Sequence, residues 1–229
     1  MRKTIGFLTM TACLFAAPTE KSRREVAERL TEATTVLSEL MSAGDKGIPR
    51  DLVEKAQCAV IVPGLKKGAF IVGGQFGKGF ITCRGANDRG WSAPAAIKME
   101  GGSVGFQIGG SETDVILLVM NQRGADRLMQ SEFTLGGEGE VAAGPVGRDA
   151  SAQTDAKLSA EMLSWSRSRG VFAGIALKGS TLRADKGENE VLYGHELDTR
   201  EVVNGKVRPT AEGRGLVGAL TNYSPVEKH

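Results

Sequence analysis

Glycine placement constrains this chain more than any other feature. Of 229 residues, 31 are glycine, about twice the roughly 7% of average usage, and 19 of those lie between Gly64 and Gly147. They keep no triplet period, so a collagen-like rod is excluded. A hydrophobic fraction of 41% beside a charged fraction of 24% gives the chain enough apolar mass for a core and excludes wholesale disorder. Glycines set between short apolar runs then predict a turn-rich β structure.

The strand signals follow that punctuation. Cys58–Val62 is an apolar run closed by Pro63-Gly64, and Ala69–Val72 and Phe80–Cys83 flank Gly77-Lys78-Gly79 as a hairpin. Further strands are predicted at Ala95–Met99, Ser103–Ile108, Val115–Met120, Glu140–Ala143, Leu163–Arg167 and Val171–Leu182. One or two helical turns fit Asp126–Ser131, and a short helix fits Glu188–Tyr193. Ahead of the strands, Val26, Leu30, Ala33, Leu37 and Leu40 recur at helical steps within Ser22–Ala43. Pro49 suits the first turn of a second helix through Leu52, Val53 and Ala56. The fold class is α+β: N-terminal helices packed on a glycine-rich, mainly antiparallel curved sheet, either a sandwich or barrel-like. The helical stripe packs on that body, with a membrane-surface or partner-binding role as its alternative.

The first residues read as an address. Arg2 and Lys3 precede Ile5–Ala17, an uncharged stretch too short to span a bilayer but suited to a signal-peptide core. Met10-Thr11-Ala12-Cys13 resembles a degenerate lipobox, in which Cys13 would be acylated. The expected organisation is a leader over residues 1–19, then one domain over 20–229 with its core at about 22–193 and a polar C-terminal extension. The expected location is outside the cytoplasm, periplasmic or attached to the envelope, as an outer-membrane lipoprotein if Cys13 is acylated. In an oxidising compartment Cys58 and Cys83 would pair; otherwise they pack as small buried thiols.

Several chemistries fail on the residues. The loop at Gly73–Gly79 has Val72 where a phosphate loop needs its first glycine, and Gly79 where it needs Ser or Thr. Two histidines, His195 and His229, support neither a nucleophilic triad nor a metal cluster. We expect no enzyme and no cofactor. The net charge of +2 is supplied by Arg2 and Lys3, so wholesale nucleic-acid binding is not expected either.

Charge is nevertheless segregated. Cys58–Arg84 carries Lys66, Lys67, Lys78 and Arg84 with no acid, and Arg89 extends the group; Glu112–Glu140 carries six acids against two arginines. Lysines after a Pro-Gly turn and between glycines would project from loop tips. Gathered at one end of a sheet, they would suit an anionic headgroup, as against ordinary solvated charges.

The run Cys58–Gly79, with Pro63-Gly64, Lys66-Lys67 and Gly77-Lys78-Gly79, resembles the opening strands of the SYLF domain. Gly90–Pro94, Gly101–Gly110, Asp114–Asn121, Ala143–Arg148 and Gly170–Gly179 resemble its later blocks in order, so the likeness runs from Ser22 to Tyr193. The resemblance implies a non-enzymatic lipid-binding module, whose eukaryotic members also bind actin. With its signal-like leader the chain looks like the bacterial exported single-domain kind, which argues against actin and for an anionic phospholipid surface as partner. Lys66, Lys67, Lys78, Arg84 and Arg89 are the expected headgroup contacts. The alternatives are an envelope protein-interaction module, or a carrier of an apolar ligand in a cavity of the sheet.

Overall fold

The five residues Val115–Val119 are all buried. A strand can hide every side chain only if both faces of its sheet are covered, and the computed structural model shows how. It describes residues 19–44, 47–69, 73–85, 90–103, 109–130, 132–145, 160–168, 171–175 and 177–224.

Helix α1 (Glu20–Ser42) and the short α2 (Arg50–Lys55) lead into four long strands: β1 (Cys58–Ala69), β2 (Gly73–Cys83), β3 (Ala95–Ser103) and β4 (Gly109–Val119). Helix α3 (Gln122–Leu128) follows, then β5 (Glu132–Thr134), β6 (Val141–Ala143), β7 (Met162–Ser168), β8 (Val171–Gly174) and β9 (Ser180–Ala184). Helix α4 (Lys186–Tyr193), the single turn α5 (Thr199–Glu201) running into a wide turn at 202–206, and α6 (Arg214–Tyr223) complete the order. The strands form one sheet in the order β5-β9-β3-β2-β1-β4-β7-β6, with β8 also paired to β7. All pairings are antiparallel except β6 with β7, so the sheet is mixed.

The sheet curls into a half-barrel. Its concave face is filled by Val60, Val62, Met99, Leu117, Phe133 and Val203 among others. The other face carries Ile61, Phe80, Ile116 and Leu118 under the α1 stripe, with Leu216 and Leu220 of α6. Val26, Leu30, Ala33, Leu37 and Leu40 are all buried there, so the amphipathic stripe is spent on the chain's own body. Helix α6 forms in the stretch read from sequence as a polar extension, and its two buried leucines make it part of this layer. A residual cavity of about 10 Å³ lies among Val60, Ile81, Ile97, Leu128 and Leu182. That is room for about one water at this point of the packing.

Three local expectations are corrected. Pro63-Gly64 does not close a strand: β1 runs through it on a bulge, with the pairing to β4 shifting between Val62 and Leu65. Gly64 takes φ +59°, and its N–H donates to Asp114 Oδ1 at 2.9 Å, which fixes the bulge. Nor is Gly77-Lys78-Gly79 a hairpin tip. β1 and β2 pair as far as Ala69↔Gly73, so the connection falls beyond those residues and Lys78 lies mid-strand. Gly79 is glycine because β1 passes so close that a Cβ there would overlap the Ile61 carbonyl. The run Val171–Leu182 is likewise two strands, β8 and β9, and Ser103–Ile108 falls mostly outside the described residues.

Candidate functional site

Register decides which basic side chains are available. β9 accompanies β3 only as far as Gly101↔Ser180, and β7 accompanies β4 only to Asp114↔Arg167. Among the described residues, β3, β2, β1 and β4 continue beyond those rows without the flanking strands. Lys66 stands there between Phe76 on β2 and Glu112 on β4, and Lys67 between Gln75 and Ser111. The next row is glycine on all four strands: Gly102, Gly74, Gly68 and Gly110. Successive strand residues face opposite sides, so Lys66 shares the helix-covered face with Phe76 while Lys67 looks to the concave side. Lys66 is exposed, Lys67 half-buried, and Phe76 is 47% exposed, unusual for a phenylalanine. Among the described residues neither lysine closes an ion pair.

Lys78 belongs to a different arrangement. Its ammonium lies 2.8 Å from Glu188 and 3.3 Å from Asp185, both carboxylates buried. Arg29 of α1 reaches Glu188 at 2.6 Å, and Lys98 of β3 lies 3.5 Å from Asp185. Three cations on three elements thus share two carboxylates at the start of α4, which Asn189 fixes to β3 by accepting from Ala96 N–H at 2.7 Å. Burial alone would lower the Lys78 pKa, but the hydrogen bond and charge of Glu188, with Asp185, raise it above 10.5. This lysine holds α1 and α4 to the sheet.

Arg84 is also engaged internally. Its guanidinium donates at the end of α2 to the Ala56 carbonyl at 2.9 Å, to Glu54 at 2.8 Å and to Val53 at 3.3 Å, the last already accepting from the Ala56 N–H. It also bonds Ser224 Oγ, at the end of α6, and stacks 4.7 Å over Trp91. The preceding residue, Cys83, lies opposite Cys58, and the two are joined as a disulfide. Cys13 and Arg89 lie outside the described residues. The structure therefore brings Lys66 and Lys67 together, while it separates them from Lys78 and Arg84 by function as well as position.

Sequence reading missed Arg29, Lys98, Asp185 and Glu188. A signal was present: Asp185 with an acid three residues on has the form of a helix start, and its carboxylate caps the Glu188 N–H at 3.2 Å. It also missed a cleft of about 530 Å³ between α1 and the β1 bulge, lined by Thr31, Glu32, Thr35, Glu112, Asp114 and Arg167. Arg167 bridges Asp114, at 2.7 Å, and Glu39. Among the described residues the cleft's one cation is so bound, against Glu32, Glu112 and Asp114, which is the wrong sign for phosphate.

Comparison with known proteins places this architecture. The family described as "Ysc84: Las17-binding protein actin regulator" matches residues 100–223, from β3 to the end of α6. The chain belongs to the Ysc84 family. It is similar to the SH3 domain-containing YSC84-like protein 1 of Xenopus laevis, 33% identical over 203 residues, covering 88% of this chain and 59% of that protein. It is also 33% identical over 214 residues to LAS seventeen-binding protein 3 of Saccharomyces cerevisiae, covering 90% of this chain and 46% of that one. The Homo sapiens YSC84-like protein 1 is 31% identical over 202 residues. The chain thus spans about half the length of the relatives it matches, whose names record SH3 domains and Las17 binding. This Ysc84 domain is the SYLF domain that the glycine-punctuated blocks resemble. The relatives' names denote binding and regulation rather than a reaction. Among the described residues no group of His, Cys, Asp or Glu could hold a metal ion, and no helix is long and apolar enough to cross a membrane.

Proposed function

We propose that this Ysc84 domain works without catalysis, by binding the anionic phospholipid surface of a membrane at the uncovered end of β1–β4. One observation supports the reading: of the described basic candidates, Lys78 and Arg84 are committed to internal contacts, whereas Lys66 and Lys67 stand at an exposed sheet end beside the exposed Phe76. The lysines face opposite sides, so a surface that meets the sheet end-on is reached by both. Each lysine near an anionic surface contributes about 1 kcal/mol, and an aromatic edge suits the interfacial layer. The leader-like residues 1–19 support the further reading that the chain acts after export, at an envelope membrane.

The test is co-sedimentation of the chain with vesicles of phosphatidylcholine alone or mixed with phosphatidylglycerol, at low and high salt. Lys66→Ala with Lys67→Ala should weaken binding to the anionic vesicles about 30-fold, from the roughly 2 kcal/mol involved. Equal binding by that double variant, or equal binding to neutral vesicles, refutes the site. The family's description as an actin regulator supports a second reading, in which the partner is a protein of the actin system. Co-sedimentation with filamentous actin, unaffected by anionic vesicles, would favour that reading.

A further inference from the structure

Cys58 and Cys83 face each other on adjacent strands, and the Arg84 N–H donates to the Gln57 carbonyl at 2.8 Å just beyond them. That flanking bond marks the cysteines as a non-hydrogen-bonded pair, the row in which antiparallel side chains come closest. Both residues are buried, yet both line a polar cleft of about 500 Å³ that opens between α3 and the turn at 202–206. Gln57, Gln122 and Asn204 supply its polar wall, Met129 its apolar wall, and Arg84 its cation. Arg84, next in sequence to Cys83, is also the residue on which the ends of α2 and α6 converge.

We propose that this cleft is a thiol–disulfide exchange site, and that the Cys58–Cys83 bond is a latch for the docking of α2 and α6. The reagent is a small dithiol or a thiol peptide. Its thiolate enters the cleft and attacks one cysteine Sγ. A new sulfur–sulfur bond forms to the reagent as the Cys58–Cys83 bond breaks, and the other cysteine leaves as a thiolate that takes up the proton given up by the reagent. A second reagent thiol then displaces the tethered cysteine. Two electrons pass to the protein, the reagent departs as its disulfide, and two cysteine thiols remain. Unbonded sulfurs need van der Waals separation, farther apart than the bond holds them, so reduction lets β1 and β2 shift at the row next to Arg84. The contacts of Arg84 to the last carbonyls of α2 and to Ser224 loosen in consequence.

The test uses the full chain without denaturant and dithiothreitol as the probe, with free thiols counted by alkylation and mass. Reduction should rise in proportion to dithiothreitol; a plateau at the unfolding rate taken from denaturant kinetics means that unfolding exposes the bond, and overturns the site. Gln122→Trp, which fills the cleft, should slow reduction several-fold at an unchanged unfolding rate, and an unchanged slope overturns the cleft as the route. In the reduced chain, hydrogen exchange should quicken about tenfold over residues 50–57 and 214–224 while Val115–Val119 stay protected. Unchanged protection of both helices, or its loss across β4 as well, overturns the latch.

Discussion

Removing the Glu188 carboxylate tests whether the ion cluster under α4 holds the helical layer to the sheet. Glu188→Ala leaves Arg29 and Lys78 facing each other with Asp185 as the only nearby counter-charge among the described residues. The carboxylate is 11% exposed, and the two cations it contacts at 2.6 and 2.8 Å are 20% and 30% exposed. Breaking a fully buried pair costs about 3–5 kcal/mol. Here both cations keep some access to water and can rehydrate, which brings the expected loss to roughly 2–3 kcal/mol. The cap of α4 survives, because Asp185 holds the Glu188 backbone N–H rather than its side chain. Urea unfolding followed by fluorescence suits the measurement, since Trp165 is fully buried beneath the helical layer. With a slope of about 2 kcal/mol per molar urea, the midpoint should fall by about 1 M. Pairing the change with Arg29→Met closes a double-mutant cycle, and a coupling of about 1–2 kcal/mol is expected between residues 159 apart in sequence. A loss under about 0.5 kcal/mol, or strict additivity with Arg29→Met, would refute the claim that this cluster joins α1 to the sheet.

Lys78 adds a pH signature. Its folded pKa is raised, so its contribution to stability is complete below about pH 10.5 and is lost as pH rises through the higher folded value. Burial also raises the Tyr193 phenol, which loses stability in the same direction, so the readout is the difference between wild type and Lys78→Met across that alkaline range. Gly79→Ala should cost roughly 3 kcal/mol or more, because the new methyl meets the β1 backbone rather than a movable side chain; a thermal midpoint close to wild type would contradict the close passage. Arg84→Met should cost about 2–4 kcal/mol in urea unfolding by stranding the α2 carbonyls. Under conditions where that variant is folded, its vesicle binding should match wild type, and a loss of binding would return Arg84 to the headgroup contacts.

The α1 stripe was legible because helical periodicity is a local property, and every position it marked is buried. The class of the sheet was legible for a similar reason, since Cys58–Val62, Phe80–Cys83 and Val115–Met120 are apolar runs of strand length. The reading failed where a glycine had two physical explanations. Gly77 and Gly79 read as a turn because turns are where flanking glycines usually sit. In the fold they allow β2 to approach the β1 bulge, and that bulge exists because Asp114, 50 residues away, accepts the Gly64 N–H. Helix α6 escaped notice because its periodic apolar residues, Leu216, Val217 and Leu220, are few and set between glycines.

The same distinction governs the site. An acid-free stretch from Cys58 to Arg84 looks like a basic patch only if charges are counted along the chain. A sheet pairs residues across it, and the counter-charges of Lys78 come from Asp185 and Glu188, more than 100 residues later. Arg84 donates to the Ala56 and Glu54 carbonyls at the end of α2. What remains for an anion is set by where neighbouring strands stop. Among the described residues the strands β1–β4 run on uncovered beyond the ends of β7 and β9, and there Lys66 is exposed and Lys67 half-buried. Two lysines contribute roughly 2 kcal/mol, too little for lasting attachment to a membrane without a second contact. Binding of the proposed kind is therefore weak, reversible and sensitive to salt, and Phe76, exposed in the same row as Lys66, is the described side chain placed to add an apolar contact. Phe76→Ser should then weaken vesicle binding at high salt, where the lysine contribution is screened, by a larger factor than Lys66→Ala does.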